Sequence, residues 1–149
     1  KQKLAEQGAK GVVIARHDGM VTGADGEMVT IDKAAITTDS VEYDAVYVPG
    51  GAGQAQALSA GFKSRYFLAE AFAHYKPIAA NAEGIDVLRA AGLTGLQVAS
   101  SGDGRVANSM GVVTAAGLAT DGDFLPQFFD AIAQHRFWDR PDQDQVPDV

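Results

Sequence analysis

The stretch Lys76-Pro-Ile-Ala-Ala-Asn-Ala-Glu-Gly84 decides the fold of this chain. Its apolar part predicts a short buried strand at residues 78–80, and residues 85–91 predict a helix that Gly92 ends. A strand, a tight turn and a helix in direct succession form a nucleophile elbow, in which the residue at the turn projects its side chain above the sheet. The residue at this turn is Ala82, which has no reactive group.

The polar neighbours of the turn residue, Asn81 and Glu83, do not supply a nucleophile. A working elbow presents a Cys or Ser side chain with a His nearby, and the chain contains no cysteine. Glu83 stands at the start of a predicted helix, where a carboxylate gains about 0.3–1 kcal/mol from the helix dipole. We favour that explanation over a catalytic carboxylate. The prediction is a degenerate elbow, without catalytic residues, at Asn81, Ala82, Glu83 and Gly84.

A second segment, Pro49-Gly-Gly51, follows a predicted buried strand at residues 45–48. Backbone N–H groups that stay exposed at the carboxyl end of a strand can form an oxyanion hole or an anion-binding nest. Gly50 and Gly51 are therefore candidates for an anion nest. In the alternative interpretation the two glycines only permit a sharp turn between strand and helix, and the spacing alone favours this alternative.

Predicted strands and helices alternate along the chain, which indicates an α/β domain with a mainly parallel sheet and helices on both faces. The first part of the chain predicts a helix end at residues 4–7 closed by Gly8, and a buried strand at 11–15. A hairpin of residues 20–22 and 28–31, around a turn at 24–26, is predicted on the edge of the main sheet. The later elements are a helix capped by Ser64, a strand at 112–115 and a helix capped by Asp123. The apolar stripe of this last helix is Leu125, Phe128, Phe129, Ile132 and Ala133.

The chain begins within a helix, and no predicted strand precedes that helix. In a doubly wound fold the first strand lies near the middle of the sheet, and its loss leaves inner strand edges unpaired. We therefore predict that the first strand is missing and that the sequence is a piece of a longer polypeptide. Residues 1–149 are predicted to form a single domain, with a core at 1–138 and an extended polar tail at 139–149.

The composition excludes several classes of function. The 149 residues carry a net charge of −7, which disfavours binding to nucleic acid or to an anionic membrane surface. Without cysteine there is no disulfide and no thiolate ligand, and His17, His74 and His135 lack the spacing of metal ligands. Residues 102–107 match the dinucleotide fingerprint only loosely, and we interpret them as a loop. We expect a cytoplasmic protein without a metal, a nucleic-acid partner or a membrane attachment.

The strand followed by Pro49-Gly-Gly51, together with the elbow at residues 76–84, resembles the class I glutamine amidotransferase-like superfamily, and its PfpI-like members in particular. The resemblance implies a flavodoxin-like three-layer sandwich. Active members of the superfamily place Cys at the elbow and His after it, where this chain has Ala82 and Glu83. Their hydrolase and deglycase activities are therefore not expected here.

The segment from Phe128 to Arg140 resembles the closing helix of the C-terminal, PfpI-like domain of large-subunit catalases, and the resemblance extends over nearly the whole chain. It implies a parent enzyme that converts hydrogen peroxide to water and dioxygen on a haem held in a separate barrel. No cofactor is then expected in this chain itself. Its expected partners are the haem domain and the sister subunits of a homotetramer.

The residues at the end of the last helix, which a polar tail follows, suggest a further role. His135, Arg136 and Trp138 are candidates for docking on another domain, although Trp138 alternatively seals the core of this one. The function expected for the chain is that of a non-catalytic accessory domain that supports the stability and assembly of a large-subunit catalase. The alternatives are a chaperone-like stress module and a free-standing PfpI-like protein with a cryptic activity.

Overall fold

The computed structural model describes residues 1–23, 26–100, 106–119 and 122–140. The turn residues Ala24 and Asp25, residues 102–105 of the predicted loop and the tail from residue 141 lie outside the described residues. The chain divides into two compact units, Lys1–Asp39 and Ser40–Val149.

The larger unit contains a four-stranded sheet. Its strands are β5 (Val46–Val48), β6 (Ile78–Asn81), β7 (Val106–Ser109) and β8 (Val112–Ala115). They lie in the order β5-β6-β8-β7, in which β5, β6 and β8 run parallel and β7 runs antiparallel to β8. The register places Val48 opposite Ala80, and Asn81 opposite Ala115. The loops that follow the three parallel strands therefore meet at one edge of the sheet.

Helices cover both faces of this sheet. They are α2 (Ala52–Ala60), α3 (Phe62–Ala73), α4 (Gly84–Ala90) and α5 (Phe124–Gln134). Ile78 and Ala80 of β6 pack with buried side chains of α2, α3 and α4, whereas Ala79 packs with α5 in a second cluster. Because successive strand residues point to opposite faces, the two clusters lie on opposite sides of the sheet. The predicted three-layer arrangement is confirmed.

The smaller unit confirms two predicted elements and corrects one. Helix α1 (Gln2–Glu6) is followed by Gly8 with φ +76°, as predicted. The hairpin of β2 (Met20–Thr22) and β3 (Met28–Thr30) also forms, but it is a separate two-stranded sheet and not the edge of the main one.

The prediction of a buried strand at residues 11–15 was wrong. Only β1 (Ile14–Ala15) is a strand; it is half-buried and pairs in parallel with β4 (Lys33–Ala34). The N–H of Val13 instead donates to the Asp32 carboxylate at 2.7 Å.

Two elements of the larger unit were not predicted. Helix α2 has no apolar stripe, since Ala55 is its one buried residue, and its sequence therefore lacks the amphipathic period. Strand β7 forms a hairpin with β8 through the turn Met110-Gly111, whose φ angles of 52° and 75° fit a type I′ turn. A two-residue turn that contains glycine was a signal for this hairpin.

The caps and the apolar stripe of the predicted helices were correct only in part. Helix α3 begins at Phe62 after Gly61, so Ser64 lies in its first turn and does not cap it. Asp123 occupies the N-cap position of α5, but its side chain makes no capping hydrogen bond. The buried residues of α5 are Phe124, Phe128 and Ala131, and the predicted Ala133 is exposed.

Candidate functional site

The predicted elbow is present as backbone geometry. Ala82 joins β6 to α4 with φ +47°, in the left-handed region that costs an L-residue about 1–2 kcal/mol. Its N–H donates to the carbonyl of Ala115 at 2.9 Å, and its carbonyl accepts from the N–H of Ile85 at 3.1 Å. These bonds hold the turn between the neighbouring strand and the following helix. The strained conformation of a nucleophile elbow therefore remains although the side chain is a methyl group.

Glycines allow the elbow to approach the end of β5 closely. A Cβ atom on Gly84 would lie 2.5 Å from the carbonyl oxygen of Val48 and 3.0 Å from that of Pro49. A Cβ atom on Gly50 would lie 2.9 Å from the Cβ of Ala82. The distances of 2.5 Å and 2.9 Å are too short for real contacts, so the first turn of α4 and the loop after β5 can pack this closely only because both positions are glycine.

Asn81 connects the loops that follow three parallel strands. Its buried side-chain oxygen accepts from the hydroxyl of Tyr47 at 2.7 Å and from the N–H of Gly50 at 3.0 Å. Its amide nitrogen donates to the carbonyl of Gly117 at 2.9 Å. Burial raises the pKa of Tyr47, so its hydroxyl stays a donor to Asn81 at neutral pH. These hydrogen bonds fix the loops relative to one another, so Asn81 has a structural role.

The exposed carboxylate of Glu83 accepts from the N–H of Gly51 at 2.9 Å. This hydrogen bond, together with one from its own N–H, lowers the pKa of Glu83 below its ordinary value. Gly51 adopts φ +122°, a backbone conformation that glycine adopts readily and other residues rarely adopt. Since Gly50 donates to Asn81, both amides of the candidate nest already have acceptors from the elbow. The contact between Glu83 and Gly51 was not predicted.

Replacement of Glu83 by glutamine is expected to make the free energy of unfolding depend less steeply on pH in the acid range. Because the folded-state pKa of Glu83 is lowered, its contribution is present above the ordinary value of 4.5 and is lost as the pH falls through the folded-state pKa. Urea unfolding of both proteins between neutral pH and acid measures this difference. Asp86→Asn is the matched control, since Asp86 pairs with Arg89 and not with the nest. Equal acid slopes for the Glu83→Gln variant and the unmodified protein would contradict the prediction.

An open groove of about 370 Å³ lies beside the elbow. Its lining residues are Ala82, Glu83, Ile85, Asp86, Arg89, Ala99, Ser100 and Ala116. The guanidinium of Arg89 pairs with the carboxylate of Asp86, one turn away on the same helix. The methyl group of Ala82 stands in the groove where a working elbow presents its nucleophile.

The candidate docking residues lie together after α5. His135 ends the helix with φ +70°, and its exposed imidazole lies 3.6 Å from the carboxylate of Asp44. Arg136 donates to the carbonyl of His135 at 2.8 Å. Trp138 is 69% exposed and its ring centre lies 5.0 Å from that of Tyr75. The alternative in which Trp138 seals the core is therefore wrong.

Phe137 occupies the core position next to this exposed tryptophan. Its ring is buried against Gly111, where a Cβ atom would lie 2.1 Å from the nearest ring carbon. Its N–H donates to the carbonyl of Tyr75 at 2.9 Å. The segment after α5 thus points one aromatic ring inwards and the next one outwards.

Comparison with known proteins identifies the family. A family model described as the C-terminal domain found in long catalases matches residues 1–142. The chain belongs to this family. Catalase-2 of Bacillus subtilis is 34% identical over 140 residues, and Catalase HPII of Mycobacterium avium is 37% identical over 131 residues. The alignments cover 93% and 87% of this catalase C-terminal domain but 18% of each relative, so the chain spans less than a fifth of their length.

Solved structures show the fold of the catalase C-terminal domain independently. A ThiJ/PfpI domain protein from Brachyspira murdochii superimposes with a TM-score of 0.77 at 20% identity, covering 90% of this chain and 86% of that one. DJ-1 of Schizosaccharomyces pombe gives a TM-score of 0.73 at 16% identity, with coverages of 94% and 90%. These matches confirm the predicted flavodoxin-like α/β fold.

Sequence reasoning missed a buried arginine of the catalase C-terminal domain. Arg140, assigned to the polar tail, is only 3% exposed. Its guanidinium donates to the carbonyls of Met110 at 2.9 Å and of Phe72 and Lys76 at 2.8 Å each. Burial lowers the pKa of Arg140 to about 10, so it stays protonated at neutral pH. The packed part of the chain thus continues past residue 138.

A second buried cation was also missed. The ammonium of Lys76 donates to the carbonyl of Ser40, and burial lowers its pKa. The carboxylate of Glu70 accepts from the hydroxyl of Ser40 at 2.6 Å and from its N–H at 3.1 Å. These contacts join the first turn of the larger unit to α3 and to the segment that follows it, and no local pattern in the sequence indicates a contact across 30 or more residues.

Within residues 1–23, 26–100, 106–119 and 122–140, no group of three or more His, Asp or Glu side chains is arranged to hold a metal ion. In the same ranges no helix combines the length and the apolar character that crossing a bilayer requires.

Proposed function

We propose that this chain is a non-catalytic accessory domain that supports the stability and assembly of a long catalase. The observation that carries the proposal is the elbow, which keeps its strained backbone but has a methyl group at Ala82 and two nest amides already bonded to Asn81 and Glu83. A hydrolytic site needs a nucleophile and free N–H donors for an oxyanion. The elbow therefore offers neither the nucleophile nor the free N–H donors that a cryptic hydrolytic activity requires.

The chemistry of the parent enzyme belongs to another part of the longer polypeptide in this proposal. Catalysis there would convert hydrogen peroxide to water and dioxygen on haem, which proteins hold through a Tyr, His, Cys or Met side chain. The groove beside the elbow does not fit haem. The groove at the elbow offers the carboxylates of Glu83 and Asp86 and the guanidinium of Arg89, and none of these is such a ligand.

The proposed docking surface consists of His135, Arg136 and Trp138, together with Tyr75, on which the tryptophan packs. Trp, Tyr and Arg side chains contribute most strongly to protein interfaces, because each combines a large contact area with a polar group. A tryptophan that is 69% exposed leaves its apolar surface in water unless a partner covers it. The partners that we propose are the haem domain and the sister subunits of a homotetramer.

Deletion of this domain from the full-length catalase tests the accessory role. We expect faster thermal inactivation and a smaller tetramer fraction, whereas the molecules that survive keep their haem absorption band and their turnover of peroxide. Size-exclusion chromatography with light scattering, followed by peroxide assays on each fraction, measures both effects. Unchanged assembly and unchanged thermal inactivation would contradict the proposal.

Trp138→Ala in the full-length catalase tests the docking surface without removing the domain. A central interface tryptophan is worth about 2 kcal/mol or more, so dissociation of the assembly is expected to become roughly 30-fold easier. Phe62→Ala is the matched control, because Phe62 is also an exposed aromatic residue of the larger unit but lies at the start of α3. Equal effects of the two substitutions would exclude a specific role for Trp138.

A further inference from the structure

The β2–β3 hairpin presents two methionines on one exposed face. The antiparallel register places Met20 opposite Thr30 and Thr22 opposite Met28. Residues two apart on a strand share a face, so the four side chains lie together and the two methionines are diagonal neighbours. Met20 is 55% and Met28 is 56% exposed. The side chains of this methionine face, Met20 and Met28, are therefore accessible to a small solute.

We propose that the methionine face is a site of oxidation by hydroperoxides, with hydrogen peroxide as the smallest substrate. The thioether sulfur attacks one peroxide oxygen, an S–O bond forms and the O–O bond breaks. The hydrogen of the transferred oxygen passes to the leaving hydroxide, which departs as water. Sulfur loses two electrons and the peroxide gains them, so each methionine that becomes a sulfoxide consumes one peroxide.

The hairpin is built to tolerate the product. The hydroxyl of Thr22 donates to the sulfur of Met28 at 3.5 Å. A sulfoxide oxygen is a stronger acceptor than a thioether sulfur, so we expect the same hydroxyl to donate to the product. The polar sulfoxide lies on a solvent-facing surface, where it displaces no core packing. Oxidation therefore changes the polarity of this face and leaves the strand pairing intact.

The third methionine of the chain is an internal control. Met110 is half-buried in the β7–β8 turn, and its carbonyl accepts from the guanidinium of Arg140. Its side chain is less accessible than those of the methionine face, so peroxide is expected to oxidise it more slowly. This inference does not rest on the proposed function, because peroxide oxidises an exposed thioether whatever enzyme contains the chain.

Graded hydrogen peroxide followed by proteolysis and tandem mass spectrometry tests the inference, since fragment masses assign each added oxygen to Met20, Met28 or Met110. We expect Met20 and Met28 to react roughly fivefold faster than Met110, at rates close to that of N-acetylmethionine amide. Comparable rates for all three methionines, or protection of the hairpin pair relative to the free amide, would overturn the proposal.

Thr22→Val separates oxidation from its structural consequence, because valine keeps the shape and the strand preference of threonine but removes the donor. We expect Met28 to be oxidised in both proteins. Amide hydrogen exchange in β2 and β3 is expected to stay slow after oxidation of the unmodified protein and to accelerate severalfold after oxidation of the variant. Equal exchange in the two oxidised proteins would show that Thr22 does not stabilise the sulfoxide.

Discussion

Arg140→Ala is expected to lower the free energy of unfolding by about 3–5 kcal/mol. The substitution removes a side chain that donates to the carbonyls of Phe72 and Lys76 at the end of α3 and to that of Met110, in a segment more than 30 residues further along the chain. It also removes the cation above the ring of Phe72, whose centre lies 4.3 Å from the guanidinium carbon. Urea denaturation followed by circular dichroism measures the loss.

Two further variants make the Arg140 result specific. Arg140→Lys keeps the charge, but a single ammonium cannot reach three carbonyls in a planar fork, so we expect an intermediate loss of roughly 2 kcal/mol. Arg136→Ala is the control, since its guanidinium donates to the adjacent His135 in an exposed contact and should cost less than about 1 kcal/mol. A loss below about 1 kcal/mol for Arg140→Ala itself would show that this contact does not hold the fold together.

Gly84→Ala is expected to destabilise the protein by about 3 kcal/mol, because the new Cβ atom would lie 2.5 Å from the carbonyl oxygen of Val48. Both atoms in this contact belong to the backbone or are fixed to it, so no side chain can rotate to relieve it. Either α4 moves away from β5 or the elbow around Ala82 opens. Urea denaturation measures the loss of stability, and amide exchange at Ile85 reports the opening of the first turn.

The matched control for Gly84→Ala is Gly53→Ala in α2. A Cβ atom on Gly53 would meet no atom within 4 Å, and alanine in a helix is favoured over glycine by about 1 kcal/mol. We expect a small gain in stability from this variant. If Gly84→Ala leaves the stability unchanged while Gly53→Ala behaves as expected, the loop after β5 moves away from the new Cβ atom without cost.

The parts of the fold that could be predicted from the sequence are those with strong periodicity and clear boundaries. Strand β6, the turn at Ala82 and helix α4 follow from apolar residues bounded by Pro77 and Gly92. Helix α2 could not be predicted, because nearly all of its residues are exposed and its apolar residues therefore show no helical period. The strand at residues 11–15 was predicted too long, since an apolar run alone does not tell which backbone groups find partners.

The candidate site was predictable in its positions but not in its contacts. The elbow and the two glycines were located because turn chemistry is local. The bonds from Gly50 to Asn81 and from Gly51 to Glu83 span 31 and 32 residues, and only the tertiary arrangement of β5 beside β6 creates them. Arg140 escaped prediction for the same reason, because charged residues in a polar, Pro-containing segment normally lie in water.

The contacts of Arg140 have a consequence for synthesis on the ribosome. Phe72 and Arg140 are 68 residues apart, and a ribosome needs about 3–14 seconds to add that length of chain. During that interval the carbonyls at the end of α3 have not yet received their donor, and Phe137 has not yet covered Gly111. The nascent larger unit therefore cannot complete its packing until Phe137 and Arg140 have left the exit tunnel.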